Sequence, residues 1–505
     1  MKIYTAALDG LNLTKVTVEA DISNGLPSFI IVGLGDASIK EARERIRPAL
    51  KNSGFKFPPT KKVINLAPAD IKKQGSHFDL PIAVSMLAAS GQILTDTDFK
   101  KPDEPVFCAG ELMLSGNLRK IPGALPITHF AKTLGFKRIF VPYQNRKEAA
   151  MIKDIDVFPV KNIRDIVMHL EGKIHINPYL KGDILENNFS KNDNMDFSEI
   201  YGQEIPKRAL EIAAASYHHI LMYGPPGTGK TILAKAFSSI LPQLDENHSM
   251  EVSMIYSVAA GKHNFALPIK DPQVRHVHHT ISAVTLFGGG NSCEIGEATL
   301  AHRGVLFLDE IAEFEKQTLE NLREPLQEGI IRLGRNGKTV ELPANFQLIA
   351  AMNPCPCGYY GDTKKHCQCT PYQIKNYYKK ISGPILDRID LIVEVPRITH
   401  KNLLSENKSE ASETIKKRVE NARHIQQKRG ILNSKIEISQ VKNLCSFESG
   451  SEDLLKLISE KLNLSARSFL SLIRVSRTIA DLDNSKQIKT NHIAEAVQYR
   501  KSFVY

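Results

Sequence analysis

The sequence contains no tryptophan, no run of eighteen apolar residues, and no basic segment followed by an apolar stretch at Met1–Gly10. With no such apolar run a membrane-spanning helix is not expected, and with no basic-then-apolar start at Met1–Gly10 a secretory leader is not expected either. A cytoplasmic chain without a membrane partner is therefore expected. Cysteine is scarce as well: there are seven in 505 residues, four of them between Cys355 and Cys369. That clustering does not suit a secreted disulfide framework, in which cysteines are spread through a small domain. Acidic residues are outnumbered, 55 against 66 basic, and the resulting charge of +11 favours polyanionic partners.

What is present suggests about three domains for this length. Residues 1–172 mix β-rich runs with helical ones. Phe29–Val32 and Lys62–Leu66 read as strands and Leu80–Ala89 as a buried helix, so an α+β domain is expected. Residues 173–196 are polar and rich in turn formers and read as a linker. Residues 197–399 alternate strands and helices as a parallel α/β sheet requires, and residues 400–505 are charged and helical in period.

The segment Gly224-Pro225-Pro226-Gly227-Thr228-Gly229-Lys230-Thr231 satisfies the G-x-x-x-x-G-K-[ST] pattern in full. An apolar strand, Ile220–Tyr223, precedes it. Ile232–Ile240 follows and reads as a helix with Leu233, Ala236 and Phe237 inward. Strand, loop and helix in that order aim backbone N–H groups at phosphate oxygens. Lys230 is expected at the β and γ oxygens of ATP and the Thr231 hydroxyl on Mg²⁺.

A second apolar strand, Val305–Leu308, ends in Asp309-Glu310. Asp309 then supports Mg²⁺, and Glu310 orients the attacking water as base. A third, Leu348–Met352, delivers Asn353 to the edge of the sheet where open α/β folds bind ligands. Asn353 is expected to position the water. Arg388 lies within Gly383–Asp390 and could reach a neighbouring subunit's γ-phosphate or pair with Asp387 or Asp390.

With these residues assembled, the chain resembles, over essentially its full length, the bacterial magnesium-chelatase-like AAA+ ATPases of the ComM/YifB group. The carrying strings are Tyr201-Gly202-Gln203-Glu204, the phosphate loop, Gly296 to Glu310, Ala351 to Gly358, and Ser382 to Asp390. The resemblance implies a Lon-protease-like N-terminal domain, a central AAA+ P-loop NTPase, a C-terminal helical lid and a homohexameric ring. It also implies ATP-driven branch migration of DNA during recombination of transforming DNA. It further implies that Leu464-Ser465-Ala466-Arg467 opens a lid helix with Arg467 as a second sensor of the γ-phosphate. Arg474 is then the reserve candidate, and Arg477 is expected in solvent.

Asn336-Gly337 between two alternating runs is a hairpin signal that places Arg335 and Lys338 at its tip. In ring helicases that this chain resembles, such a hairpin points into the pore, so both side chains are expected on DNA phosphates; the plainer reading is a solvated basic turn. Leu286-Phe287-Gly288-Gly289-Gly290 reads as a mobile pore loop. His276, His278 and His279 invite a metal reading, but no carboxylate stands in register with them, and a structural or pore role is expected. Cys355-x-Cys357 and Cys367-x-Cys369 offer four soft ligands suited to structural Zn²⁺, against four reduced thiols. Cys108, Cys293 and Cys445 read as core residues.

Three rival functions remain. A peptidase of the Lon type needs a Ser-Lys dyad. Ser76 is near the expected place, but Leu125 falls where the lysine belongs, so the domain is expected to be non-catalytic. Magnesium insertion into a porphyrin is the second, but nothing in the sequence suggests a tetrapyrrole pocket, and an ATP-gated scaffold that binds DNA without moving along it is the third. The alternative to a DNA motor is an ATP-dependent chelatase-like or Lon-like protein remodeller without DNA translocation.

Overall fold

The computed structural model describes residues 2–93, 105–180, 195–259, 267–290, 294–335, 338–362, 364–397 and 409–500, with Arg335 and Lys338 described by backbone only. The N-terminal part is built on a five-stranded sheet with the spatial order Ser28–Val32, Lys61–Ala67, Asn12–Ser23, Ile3–Asp9, Val106–Phe107. The helix Asp79–Ala89 lies against it and is buried on nearly every side. Its apolar residues run around the helix rather than along one stripe, which is the pattern of a core helix.

The central part is a five-stranded sheet in which every pairing is parallel. Its spatial order is Val274–Val277, Val305–Leu308, Gln347–Met352, Ile220–Tyr223, Leu391–Glu394. Ile220–Tyr223, Val305–Leu308 and Gln347–Met352 are buried along their whole length. Helices cover both faces of such a sheet, so its strands read as continuous apolar runs rather than alternating ones. The loops at the strands' C-terminal ends converge beside the strand Ile220–Tyr223, where the site described below is formed.

The C-terminal part is helical: Ser412–Arg429, Ser451–Lys461, Ala466–Leu482 and Thr490–Gln498. In Ser412–Arg429 the buried Ile415, Val419, Ala422 and Gln426 form one stripe at helical spacing. Ile415, Val419 and Ala422 share a single apolar core with Ala209, Leu233 and Phe237 of the central part and with Leu472 and Ile479. Polar contacts tie the same junction: Ser412 N–H to Asp196 at 3.2 Å and Ser216 hydroxyl to Gln426 at 2.8 Å.

The N-terminal part docks on the central helix Glu246–Ala259. Gly123 N–H donates to the Ser257 carbonyl at 2.8 Å, and Met250 and Met254 pack against the apolar cluster that contains Leu125. Among the described residues no helix is long and apolar enough to cross a membrane.

Two expectations fail. Leu286 and Phe287, assigned to a mobile pore loop, are buried in the core beside Leu342 and Leu308. They close a short helix, Ala283–Phe287, whose N-cap Ser282 accepts from Thr285 N–H at 3.1 Å. Arg477 is not in solvent. It is 1% exposed, with its guanidinium on Asp481 at 2.9 Å and on the Lys486 carbonyl at 2.9 Å. A buried arginine survives only when its donors are satisfied, and the turn after the helix Ala466–Leu482 supplies the acceptors. The hairpin Ile330–Arg335 with Lys338–Pro343 forms as expected, with Arg335 opposite Lys338. Its Asn336-Gly337 turn, both tip side chains, most of the linker and Cys293 lie outside the described residues.

Candidate nucleotide site

The phosphate loop leaves the buried strand Ile220–Tyr223 and enters the helix Lys230–Ala236. Gly224 has to be glycine for a steric reason: a Cβ there would sit 2.2 Å from the Val395 carbonyl oxygen. Gly229, the residue before the helix, has φ of +92°, which L side chains rarely adopt. The loop is braced from outside by Gln203, whose side-chain amide donates to the Thr228 carbonyl at 3.3 Å and to the Pro396 carbonyl at 2.7 Å. The string Tyr201–Glu204 thus has a mechanical role that its sequence alone did not disclose.

Lys230 crosses the mouth of the loop. Its ammonium donates to the carbonyls of Gly224 at 2.7 Å and Pro225 at 2.9 Å, and to Asn353 Oδ1 at 3.4 Å. Burial pushes the amine down to about 8, against the opposing pull of Asp309 and Glu310. The Thr231 hydroxyl donates to Asp309 Oδ2 at 2.9 Å. The Asp309 carboxyl is held below the usual carboxylate range, first by the His276 imidazole, whose Nε2 lies 3.8 Å away, and then by Thr231 and the Glu310 N–H. Glu310 follows with φ of +52°, an uncommon left-handed conformation for a non-glycine residue.

Strand register explains what the sequence reading missed. Val277 pairs with Leu308 in the parallel ladder, so His278 and His279 emerge level with Asp309 and Glu310. His279 Nδ1 lies 3.1 Å from Glu310 Oε2 and His278 Nε2 lies 3.9 Å from the same oxygen. The expectation that no carboxylate stands in register with these histidines is therefore corrected. Glu310 does, and the three residues bring their ligand atoms within 4.8 Å of one another.

An open cleft of about 680 Å³ is lined by the phosphate loop from Pro226 to Thr231, by Asp309, Glu310 and Asn353, and by Lys364 and Arg397. Arg388 and Arg467 are not among its walls. Arg388 donates to the Pro384 carbonyl at 2.7 Å and to Gln327, and Arg467 and Arg323 are the charges that depress it after burial. The pairing with Asp390 does not form, because that carboxylate is taken by His218 at 2.9 Å and by Ser471. Arg467 lies in the first turn of the helix Ala466–Leu482, whose N-cap Ser465 accepts from Ser468 N–H. Arg474 is half-buried and donates to the Ile436 carbonyl at 2.7 Å; it is not among the walls of the cleft.

The four clustered cysteines converge. Cys355 Sγ lies 3.3 Å from Cys357 Sγ and 3.6 Å from Cys367 Sγ, and Cys357 Sγ lies 3.6 Å from Cys367 Sγ. The Cys357 N–H donates to Cys369 Sγ at 3.4 Å. The Cys357 thiol is drawn down to about 6, first by the Tyr359 backbone N–H. A tetrahedron with zinc–sulfur bonds of about 2.3 Å has edges of about 3.8 Å, so the donor set suits that ion in type, number and spacing. Cys108 and Cys445 are buried and free.

In the N-terminal part the Ser76 hydroxyl bonds to the Glu111 carboxylate. Leu125 is fully buried among apolar residues, and its N–H donates to Ser257 at 3.3 Å. Lys73 is buried with its ammonium on the Pro68 carbonyl.

Known protein families and relatives match this chain along most of its length. The family described as magnesium chelatase, subunit ChlI, matches residues 196–403; subunit ChlI of Mg-chelatase matches 18–145, and its C-terminal family matches 409–500. Competence protein ComM of Haemophilus influenzae is 39% identical over 502 residues, 99% of this chain and 97% of its own. YifB of Escherichia coli is 40% identical over 501 residues, 99% and 96% of the two chains. The magnesium-chelatase 67 kDa subunit of Chlorobaculum parvum is 25% identical over 160 residues, covering 31% of this chain and 23% of its own.

Proposed function

The chain belongs to the magnesium-chelatase-like AAA+ ATPases together with ComM and YifB, and from that premise we propose that it is a ring motor that hydrolyses ATP to migrate branched DNA during recombination. The observation that supports this most is the convergence of Lys230, Thr231, Asp309, Glu310 and Asn353 in one cleft.

Lys230 leaves the Gly224 and Pro225 carbonyls for the β and γ oxygens, and the loop's backbone N–H groups hold the remaining phosphate oxygens. The Thr231 and Asp309 oxygens suit Mg²⁺, a hard cation that, when bound, offsets the charge developing on the transferred phosphoryl group. Glu310, held by His279, takes the proton of the attacking water, and Asn353 fixes the water's position. Arg388 and Arg467 lie off this cleft and near one another, so in our reading both complete the site of the next subunit of a homohexamer. That arrangement makes hydrolysis depend on assembly.

The same reading assigns residues 1–172 to a Lon-protease-like domain that is non-catalytic, since Leu125 replaces the lysine and Ser76 faces a carboxylate. Residues 173–196 are then the linker, 197–399 the ATPase core and 400–505 the lid. Single-stranded or branched DNA is gripped by the hairpin through Arg335 and Lys338. Zinc at Cys355, Cys357, Cys367 and Cys369 holds the loop that follows Asn353. The alternative is a chelatase-like or Lon-like remodeller of proteins that does not translocate on DNA.

The test is an ATP-dependent branch-migration assay on three-strand DNA with wild type, Lys230→Ala and Arg335→Ala. Wild type is expected to resolve the substrate, Lys230→Ala to fail, and Arg335→Ala to fail while still hydrolysing ATP. Hydrolysis that DNA neither stimulates nor couples to strand exchange favours the protein remodeller.

A further inference from the structure

The loop that follows Asn353 has almost nothing apolar to hold it. From Cys355 to Cys369 only Cys355 and Gly358 are buried, and the remaining described residues are exposed or half-exposed. It nevertheless makes three specific approaches to the nucleotide cleft. Gly358, with φ of +84°, passes so near the phosphate loop that a Cβ there would lie 2.9 Å from Pro226 Cδ. The Asp362 carboxylate meets Arg397 Nε at 2.6 Å, on the segment that leaves the last strand of the central sheet. Lys364, whose N–H is fixed by Asp362 Oδ1 at 2.8 Å, lines the same cleft as Lys230 and Asp309. Among the described residues Lys364 has no carboxylate partner.

A short polar loop cannot keep such a geometry by packing, since ordering each residue costs about 1–2 kcal/mol in backbone entropy alone. The four sulfurs supply the missing constraint. They lie within 4.8 Å of one another, and backbone N–H groups donate to them: Tyr360 to Cys355 at 3.3 Å, Cys357 to Cys369 and Cys369 to Cys367, each at 3.4 Å, and Tyr359 to Cys357. N–H bonds to sulfur are what orient thiolate ligands around a metal.

We propose that one zinc ion on Cys355, Cys357, Cys367 and Cys369 folds this loop into a flap over the nucleotide cleft, and that the flap presents Lys364 as a second phosphate-binding cation opposite Lys230. This rests on the reading that the cleft binds ATP. The carboxylate of Asp362 turns Arg397 into part of the flap's hinge, so the ammonium of Lys364 is the charge left free to meet a polyanion. Zinc content and nucleotide affinity are then linked, although no cysteine touches the nucleotide.

The experiment uses the full chain purified under reducing conditions, with zinc measured by mass spectrometry and nucleotide affinity by a fluorescent ATP analogue. One zinc per chain is expected, lost in the Cys367→Ser/Cys369→Ser double variant, with affinity at least tenfold weaker in that variant. Lys364→Ala is expected to keep its zinc and to weaken affinity about tenfold, the contribution of one charge-assisted contact. A chain that neither carries zinc nor takes it up from added zinc chloride overturns the flap, and so does a Lys364→Ala variant that binds like wild type. Lys230→Ala separates the two claims: unchanged affinity there sinks the reading of the cleft itself.

Discussion

Arg388 offers the sharpest perturbation. It makes two hydrogen bonds to neutral acceptors, the Pro384 carbonyl and Gln327, and it does not line its own cleft. Arg388→Ala should therefore cost about 1–2 kcal/mol in folding, since each such bond contributes about 1 kcal/mol net. If the guanidinium serves the neighbouring site, turnover falls by about 10³ to 10⁵, the contribution of an arginine finger. Mixing then separates trans from cis action. Lys230→Ala lacks the phosphate contact but keeps Arg388, and Arg388→Ala has the opposite defect. In randomly assembled rings of a 1:1 mixture, about a quarter of interfaces pair an intact Lys230 with an intact Arg388 from the next subunit, so about a quarter of wild-type turnover returns. Steady-state phosphate release on premixed, reassembled protein reads this directly. A mixture no more active than its components, or an Arg388→Ala variant at wild-type turnover, refutes the shared site.

Three further outcomes follow from contacts already described. His279→Ala should lower kcat about tenfold with KM for ATP nearly unchanged, because it frees the Glu310 carboxylate without touching the phosphate loop; equal changes in both constants contradict it. Gly224→Ala should abolish nucleotide binding, since the added methyl meets the Val395 carbonyl oxygen at 2.2 Å; calorimetric ATP binding like that of wild type rules this out. Asp390 is buried, which by itself raises a carboxyl, yet the hydrogen bond from His218 and the charges of His218 and His219 hold it far below the usual carboxylate range. A depressed folded-state value stabilises above the unfolded value of about 3.9 and loses that contribution as pH falls below it. Asp390→Asn should therefore cost about 3 kcal/mol near pH 7, with a smaller difference from wild type as pH drops below about 4 in denaturant melts. A difference independent of pH contradicts the assignment.

The phosphate loop, the acidic pair and Asn353 were legible because each is a short string closing an apolar run, and a parallel sheet buries such runs on both faces. The hairpin was legible for the same local reason, Asn-Gly between alternating segments. The contact between Glu310 and His279 was not, because it depends on the register of Val277 with Leu308, which no local pattern encodes. Arg477 was misread because helical spacing shows only that it shares a helix with Asp481. That the chain turns back to cap its guanidinium with the Ser485 and Lys486 carbonyls is a tertiary fact. Leu286 and Phe287 were misread because an apolar pair before three glycines fits a loop and a buried helix end equally well. The cysteine spacing suggested a metal, but the reach of its loop to Pro226 and Arg397 came from the fold.

The central claim is a DNA-stimulated ATPase whose turnover runs through Lys230. Steady-state ATP hydrolysis by the purified chain, with and without single-stranded DNA and beside Lys230→Ala, tests it most directly. The account predicts hydrolysis that rises with DNA and is lost in the variant; hydrolysis that survives Lys230→Ala, or that ignores DNA, contradicts it.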